Sequence, residues 1–174
     1  GFGQVSATLN LLTWIGARTT TLRLGTAVLV LPWHNPVLLA EQVATLDLLS
    51  GGRVDVGIGK GYRQNEFAGF CMSMDEADDR FDECLEVMTR AWSADTPWSH
   101  RGKYWQFEGV VVEPPTAQKP HPPFWMGAGH PASISKVAER GHNLLLDQCA
   151  SIQQTGERIA HFKREVEARG RRFD

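Results

Sequence analysis

Four strand-like segments, each followed by a helix-like segment, restrict the possible folds of this chain more than any other feature. The predicted strands lie near residues 22–30, 53–59, 123–128 and 143–147. The first is an apolar run that contains several β-branched residues, which is typical of a strand covered on both faces of a parallel sheet. Consecutive strand–helix units predict an α/β fold whose strands are parallel and follow chain order.

Capping residues mark the ends of the predicted helices. Asn35 stands before a proline at the first helical position, and Gly51 follows the last apolar residue of the same segment. These signals predict a helix over residues 37–49. Capping-box patterns that begin at Ser73 and Ser151 predict the starts of two more helices.

Residues 104–123 interrupt the alternation of strands and helices. Polar and aromatic residues alternate over 104–107, and an apolar triplet follows Gly109, which predicts a small hairpin. Five prolines then fall within residues 114–123 and predict a stiff, extended connector.

The composition is that of one globular domain with balanced charge. A length of 174 residues predicts a single domain over residues 1–174. A formal charge of −2 gives no excess of positive charge that would bind nucleic acid or an anionic membrane surface. No apolar run approaches the roughly 20 residues that cross a bilayer. Because Cys71, Cys84 and Cys149 lack the spacing of a disulfide framework or a zinc module, we expect no metal site and a cytoplasmic location.

Two glycine-rich turns follow predicted strands and are candidates for binding an anion. Residues 127–132 match the G-x-G-x-x-A pattern of dinucleotide-binding folds, and Asp147 ends the next strand. Pro131 removes one amide donor from that turn, so a dinucleotide site and a tight turn without a ligand both stay open. Lys60, in the turn 59–61, is either an anion ligand or a solvated side chain.

Histidines and tryptophans give no catalytic signature. The six histidines form no metal-ligand spacing, and no G-x-S-x-G pattern occurs. Trp33 and Trp125 lie beside the ends of predicted strands, where an aromatic side chain either fills the core or lines a pocket for a planar ligand.

Two longer patterns are more specific. Residues 35–53 read N-P-x-x-x-A-E-Q-x-A-x-L-D-x-L-S-x-G-R, and residues 115–128 read P-x-x-Q-K-P-H-P-P-F-W-M-G-A. Together with the strand before them, they resemble the bacterial luciferase-like flavin-dependent monooxygenases. The resemblance covers nearly the whole chain and is clearest from Thr20 to Gln148.

The resemblance implies a partial (β/α)8 barrel. The four units would be roughly its third to sixth strands with their helices on one face only, and the hairpin would be a small insertion. A complete barrel takes about 250 residues, so we expect strands to be missing at both ends. A Glu-His-His-type pattern that supplies a key active-site histidine in the family would lie before Gly1, and the catalytic residues are therefore unknown.

The same resemblance implies a flavin site on three loops. The third barrel strand ends in a bulge, often with a non-prolyl cis peptide, that backs the flavin ring. The loop after the fourth strand contacts the flavin or its phosphate, and the loop after the fifth holds the phosphate. Luciferase-type relatives have a Glu-Ser pair in that last loop where this chain has Ala-Gly. The resemblance therefore implies that backbone groups, rather than those two side chains, would hold the phosphate here. The implied cofactor-binding residues are Ala27, Val28, Gly59, Lys60, Gly127, Ala128, Gly129 and Ser133.

The implied activity is that of a flavin-dependent oxidoreductase, specifically a monooxygenase that uses reduced FMN and O2 on a small organic substrate. Its expected partners are the substrate, O2, a separate flavin reductase and, in the full-length form, a homo-oligomeric assembly. The alternatives are a dehydrogenase of the same fold that uses a deazaflavin coenzyme, an inactive flavin-binding fragment, and a Rossmann-type NAD-binding protein.

Overall fold

A parallel sheet organises the chain in a computed structural model that describes residues 6–173. The strands within this range are β1 (Leu24–Gly25), β2 (Leu29–Val30), β3 (Val54–Gly59), β4 (Trp98–Arg101), β5 (Gln106–Val110), β6 (Phe124–Gly127) and β7 (Asn143–Leu145). β3 pairs in parallel with β1 and β2 on one side and with β6 on the other, and β6 pairs in parallel with β7. The order of strands in space therefore follows chain order, as predicted.

Helices follow the strands as expected, with additions. They are α1 (Thr8–Gly16), α2 (Pro36–Ser50), α3 (Gln64–Gly69), α4 (Ala77–Ser93), α5 (Pro131–Arg140) and α6 (Ile152–Ala168), with 3₁₀ turns at Leu31–Trp33 and Met74–Glu76. α1 and the short α3 were not predicted. Among residues 6–173, no helix combines the length and the apolarity needed to cross a membrane.

The predicted caps hold with one correction. Asn35 accepts hydrogen bonds from the amides of Val37 and Leu38, and Ser151 forms both bonds of a capping box with Gln154. Ser73 instead caps the 3₁₀ turn at Met74–Glu76, which leads into α4. Its hydroxyl accepts from the amide of Asp75, two residues away, so the reciprocal box predicted for α4 does not form.

One face of the sheet carries the core. Leu24, Val56, Ile58 and Phe124 project from neighbouring strands toward the helices and are at most 3% exposed. They belong to one cluster with apolar side chains of α2 and α4, including Leu39, Val43, Phe81, Cys84 and Met88. A doubly wound sheet has helices on both faces and a reversal of strand order, and this sheet has neither within residues 6–173. The Rossmann alternative is therefore wrong.

The first predicted strand is interrupted. Gly25 pairs with Asp55 and Leu29 pairs with Ile58, so three residues of the first strand lie opposite two residues of β3. One extra residue in a strand is a β-bulge, which bends the strand and redirects its side chains. The segment 22–30 is therefore two short strands joined by the bulge at residues 26–28.

The hairpin exists, but its turn lies elsewhere than predicted. β4 pairs with β5, and the connection runs through residues 102–105 rather than through Gly109. Gly109, with φ of 61°, lies at an irregularity within the pair, where Trp98 pairs with Val110 and His100 with Phe107. The aromatic alternation was visible in the sequence, whereas the partner strand 98–101 was not recognised.

Polar hydrogen bonds join the elements at the amino ends of the strands, a region that we call the floor of the sheet. The Arg53 guanidinium donates to the carbonyls of Gly16, Thr19, Leu22 and Ser50 at 2.6–2.9 Å. This cluster joins α1, α2 and the start of β3.

The proline-rich connector, residues 114–123, is hydrogen-bonded to the same floor through Gln118. Asp47, fully buried in α2, accepts from the backbone and side-chain amides of Gln118 at 2.9 and 2.7 Å. Gln118 also donates to the carbonyl of Val54 at 2.8 Å. The two patterns that carry the family resemblance therefore meet here through Asp47 and Gln118.

Candidate functional site

The bulge forms a shelf over the inward face of the sheet, made of Thr26, Ala27 and Val28. A Cβ atom on Gly57 would overlap the carbonyl oxygen of Thr26, and a Cβ on Gly59 would lie 2.7 Å from Cγ2 of Val28. Only glycine at both positions lets the bulge lie against β3 without displacement. Gly127 on β6 faces the same shelf, with its Cβ position 3.7 Å from Cγ1 of Val28.

The shelf presents small groups to the open side of the sheet. The Thr26 hydroxyl donates to the carbonyl of Gly57 at 2.8 Å and is buried, which fixes the near end of the bulge. The Ala27–Val28 peptide is cis, in agreement with the resemblance. Ala27 is exposed and Val28 half-buried, so the shelf presents backbone and methyl groups to the open side of the sheet.

A polar layer lies beneath the shelf, nearer the amino ends of the strands. Arg23 donates to both carboxylate oxygens of Asp55 at 2.7 and 2.9 Å, and the indole N–H of Trp125 donates to the same carboxylate at 3.2 Å. Trp125 is 37% exposed on the inward face, so it does not fill the core. Trp33 packs instead in an aromatic cluster, stacked on Phe70 with ring centroids 4.8 Å apart.

Lys60 lies in the loop after β3, at the carboxyl end of the sheet, as predicted. Its ammonium group contacts both carboxylate oxygens of Asp78, at the start of α4, at 2.9 Å. Both side chains are more than half exposed, so this ion pair is weak and readily exchanged. Lys60 is therefore close to a carboxylate already, and an anion would have to compete for it.

The loop after β6 leads directly into a helix N-terminus. α5 begins at Pro131, and Ser133 lies in its first turn. The amides of Ala132 and Ser133 have no carbonyl one turn earlier to bond, and they carry the positive end of the helix dipole. The Ala128 amide, by contrast, donates to the carbonyl of Leu145 at 3.1 Å and is not free for a ligand.

Sequence reasoning missed an ion pair beside this loop. Arg158, in α6, donates to Asp147 at 2.7 Å, and a Cβ on Gly129 would lie 2.8 Å from that carboxylate and 3.4 Å from the guanidinium. The amide of Cys149 also donates to Asp147. These hydrogen bonds, that from Cys149 first, lower the pKa of the Asp147 carboxyl. Asp147 was noticed only as part of a dinucleotide pattern, and nothing in the sequence signalled that Arg158 reaches it.

Burial lowers the pKa of two histidines, His34 and His142. His34 follows the 3₁₀ turn after β2. His142 packs on Phe124 on the helix side of the sheet, with ring centroids 5.0 Å apart, and burial is the main cause that lowers its pKa to about 4. Among residues 6–173, no three His, Cys, Asp or Glu side chains are grouped as metal ligands.

Comparisons of sequence give relatives with flavin-dependent activities. The chain is 33% identical over 129 residues to the oxygenase component of a flavin-dependent trigonelline monooxygenase from Acinetobacter baylyi, covering 73% of this chain and 35% of the relative. It is 31% identical over 157 residues to an FMNH2-dependent dimethylsulfone monooxygenase from Pseudomonas putida, covering 88% of this chain and 42% of the relative.

Solved structures resemble this chain across nearly all of its length. A monooxygenase from Streptomyces bottropensis superposes with a TM-score of 0.87 and 32% identity, covering 96% of this chain and 51% of that one. A Baeyer–Villiger monooxygenase component from Pseudomonas putida, solved with FMN, has a TM-score of 0.85 at 17% identity, and 51% of it is covered. This second likeness shows the fold, a barrel of which the chain spans about half. Residues 2–174 match the luciferase-like monooxygenase family throughout, and the chain is a member of that family.

Proposed function

We propose that this chain forms the flavin-binding part of a monooxygenase that uses reduced FMN and O2 to oxidise a small organic substrate. The observation that carries the proposal is the shelf at residues 26–28. Gly57 and Gly59 leave room for the bulge on the inward face of β3, and Gly127 contacts it from β6. Ala27 is exposed there and Val28 half-buried, so the bulge presents backbone and methyl groups. Such a surface suits close contact with a broad planar ring and little else.

FMN fits the residues at both ends of this surface. Ala27 and Val28 would support the ring, and the loop over residues 127–133 would hold the phosphate. Free amides at the start of α5 and the Ser133 hydroxyl are donors suited to a phosphate dianion. Bound FMN would supply the redox chemistry, passing electrons from a reductant to O2.

The chain's own residues would position the cofactor rather than exchange protons with the substrate. The Thr26–Gly57 hydrogen bond holds the shelf in place, and the Arg23–Asp55–Trp125 layer closes the space beneath it. Cys84 does not serve as a nucleophile at this site, because it is buried in the core and burial raises the pKa of its thiol to about 12.

A separate reductase would deliver the reduced flavin. One relative is named as an oxygenase component. We extend to this chain an arrangement in which one protein reduces the flavin and another carries out the oxygenation. An open shelf at the carboxyl end of the strands is where exchangeable FMN would enter, because loops at that end form the active sites of barrel enzymes.

The reaction is tested with isotopically labelled O2 in protein that carries the complete barrel. Reduced FMN is supplied by a reductase, and trigonelline and dimethylsulfone are included among the substrates offered. Incorporation of one labelled oxygen atom into product, dependent on FMN, supports the proposal. Substrate oxidation that reduces a deazaflavin coenzyme and needs no O2 would replace it with the dehydrogenase alternative.

A further inference from the structure

The ion pair between Asp147 and Arg158 borders the turn at which the proposed phosphate site lies. A Cβ on Gly129 would lie 3.4 Å from both Cζ and Nη1 of the Arg158 guanidinium. The Arg158 side chain is 24% exposed, so it is partly buried while its guanidinium is at the rim of the turn. Oδ2 of Asp147 lies nearer to the same Cβ position, at 2.8 Å, so the two members of the ion pair lie side by side against Gly129.

Arg158 is oriented by groups that are themselves fixed. Its Nη1 donates to Oδ2 of Asp147, while Oδ1 of the same carboxylate accepts from the Cys149 amide at 2.9 Å. The capping box of Ser151 and Gln154 sets where α6 begins, two turns before Arg158. The guanidinium is therefore held at the turn by groups of the protein itself.

A phosphate bound at the turn would need a positive charge close by. A phosphate dianion beside Gly129 would lie close to the Asp147 carboxylate, an unfavourable contact between like charges. Both Lys60 and Arg158 pair with a carboxylate, but the Lys60 side chain is 53% exposed and that of Arg158 24%, so solvent screens the charge of Lys60 more strongly. The Arg158 guanidinium lies against the turn itself, and a guanidinium can bind phosphate with two parallel hydrogen bonds.

We propose that Arg158 binds the phosphate of FMN at the Gly129 turn and thereby sets the preference for FMN over riboflavin, with Asp147 holding its guanidinium ready. The inference rests on the proposed phosphate loop. It adds a specific side chain from α6 to a site otherwise made of backbone groups and Ser133. Arg158 belongs to cofactor binding and takes no part in the oxidation itself.

Equilibrium binding of oxidised FMN and of riboflavin to protein with the complete barrel tests the inference. Arg158→Gln is expected to weaken FMN binding about tenfold or more, as loss of a charge-assisted hydrogen bond does, and to leave riboflavin within about twofold. Arg158→Lys should recover part of the loss. Arg164→Gln, an exposed change on the same helix, is the matched control and should alter neither affinity.

Asp147→Asn separates phosphate binding from a purely structural ion pair. If the pair only fastens α6 to the loop, Arg158→Gln and Asp147→Asn weaken both ligands alike, and the inference is wrong. If Arg158 binds phosphate, Asp147→Asn removes a like charge but keeps an oxygen that can orient the guanidinium, so FMN affinity stays unchanged or rises, whereas Arg158→Gln lowers it.

The same measurements distinguish phosphate binding by Arg158 from phosphate binding by the loop over residues 127–133. If Arg158→Gln leaves FMN binding intact while Ser133→Ala weakens it selectively, the phosphate lies at the loop but Arg158 does not hold it. A parent protein that binds FMN no better than riboflavin would contradict both the loop and the arginine.

Discussion

At the scale of single residues, Ser133 and Gly129 test the phosphate loop. Ser133→Ala removes one hydrogen-bond donor to a charged group, which is worth about 1.5–3 kcal/mol, so FMN should bind about tenfold more weakly or worse. Gly129→Asp should weaken it further, because the new carboxylate adds bulk and negative charge beside Asp147. Fluorescence titration with FMN measures both effects.

Riboflavin is the control for these two variants, because it has the same ring and no phosphate. Its affinity should change far less than that of FMN. Two variants that bind FMN as the parent does would show that the phosphate lies away from residues 127–133.

His142 gives the fold a pH dependence on its helix side. Its folded pKa of about 4 lies below the ordinary value of 6.5, so between these values the unfolded chain binds the extra proton. The contribution of His142 to stability is therefore complete above pH 6.5 and is lost as the pH falls toward 4. Allowing for partial solvent exposure, the loss from pH 7 to pH 5 is roughly 1–2 kcal/mol.

Urea unfolding at pH 7 and pH 5 measures this loss, with His142→Gln as the comparison. The parent should lose more stability between the two pH values than the variant does. Equal losses in both proteins would show that His142 is not held neutral by the fold.

At the scale of elements, the bulge depends on the glycines of β3 and β6. Gly57→Ala places a methyl group on the Thr26 carbonyl oxygen, so the bulge or β3 must move. We expect a destabilisation of about 1–3 kcal/mol, typical of overpacking in a core, together with weaker binding of FMN and riboflavin alike. Thermal unfolding and ligand titration check the two effects.

Gly156→Ala is the matched control for Gly57→Ala. Gly156 lies inside α6 with no atom within 4 Å of its Cβ position, so alanine there should stabilise the helix by about 0.5–1 kcal/mol. If Gly57→Ala behaves like Gly156→Ala, the bulge does not need glycine beneath it.

The elements that sequence reasoning predicted are those with local signals. Asn35, Gly51 and the Ser151 box act within one turn of chain, and the structure confirms all three. The interruption at residues 26–28 was implied only through family resemblance, because a bulge is defined by the count of residues on a partner strand. The strand 98–101 was missed since its alternation is short and its partner determines it.

Long-range polar contacts were the least predictable part of the candidate site. Asp147 and Arg158 stand eleven residues apart with no pattern that joins them, and the Asp47–Gln118 pair spans seventy-one residues. The patterns that identify the family include Asp47, Arg53 and Gln118, which bind the floor of the sheet rather than the flavin end. Residues at that end of a barrel contribute to stability, so a family pattern can be specific without marking a site.

At the scale of the whole molecule, the sheet is half of a barrel with its inward face open. Trp125 is 37% exposed on that face, and β7 and the β1–β2 strand have no partner on their outer edges within residues 6–173. Unpaired edges and exposed apolar surface favour association. Residues 1–174 expressed alone should therefore self-associate and show no flavin turnover.

Analytical ultracentrifugation over a range of concentrations measures this association, and an oxidation assay with reduced FMN measures the turnover. A monodisperse monomer that turns over flavin would contradict this expectation and show that the half-barrel is a complete functional unit.

A crystal structure of protein with the complete barrel, bound to FMN, would show whether the shelf and the loop over residues 127–133 hold the cofactor. We expect the flavin ring against the Ala27–Val28 peptide and the phosphate within hydrogen-bonding distance of Ser133 and the first amides of α5. Density for FMN at any other surface, or a ring separated from the shelf by side chains, would contradict this expectation.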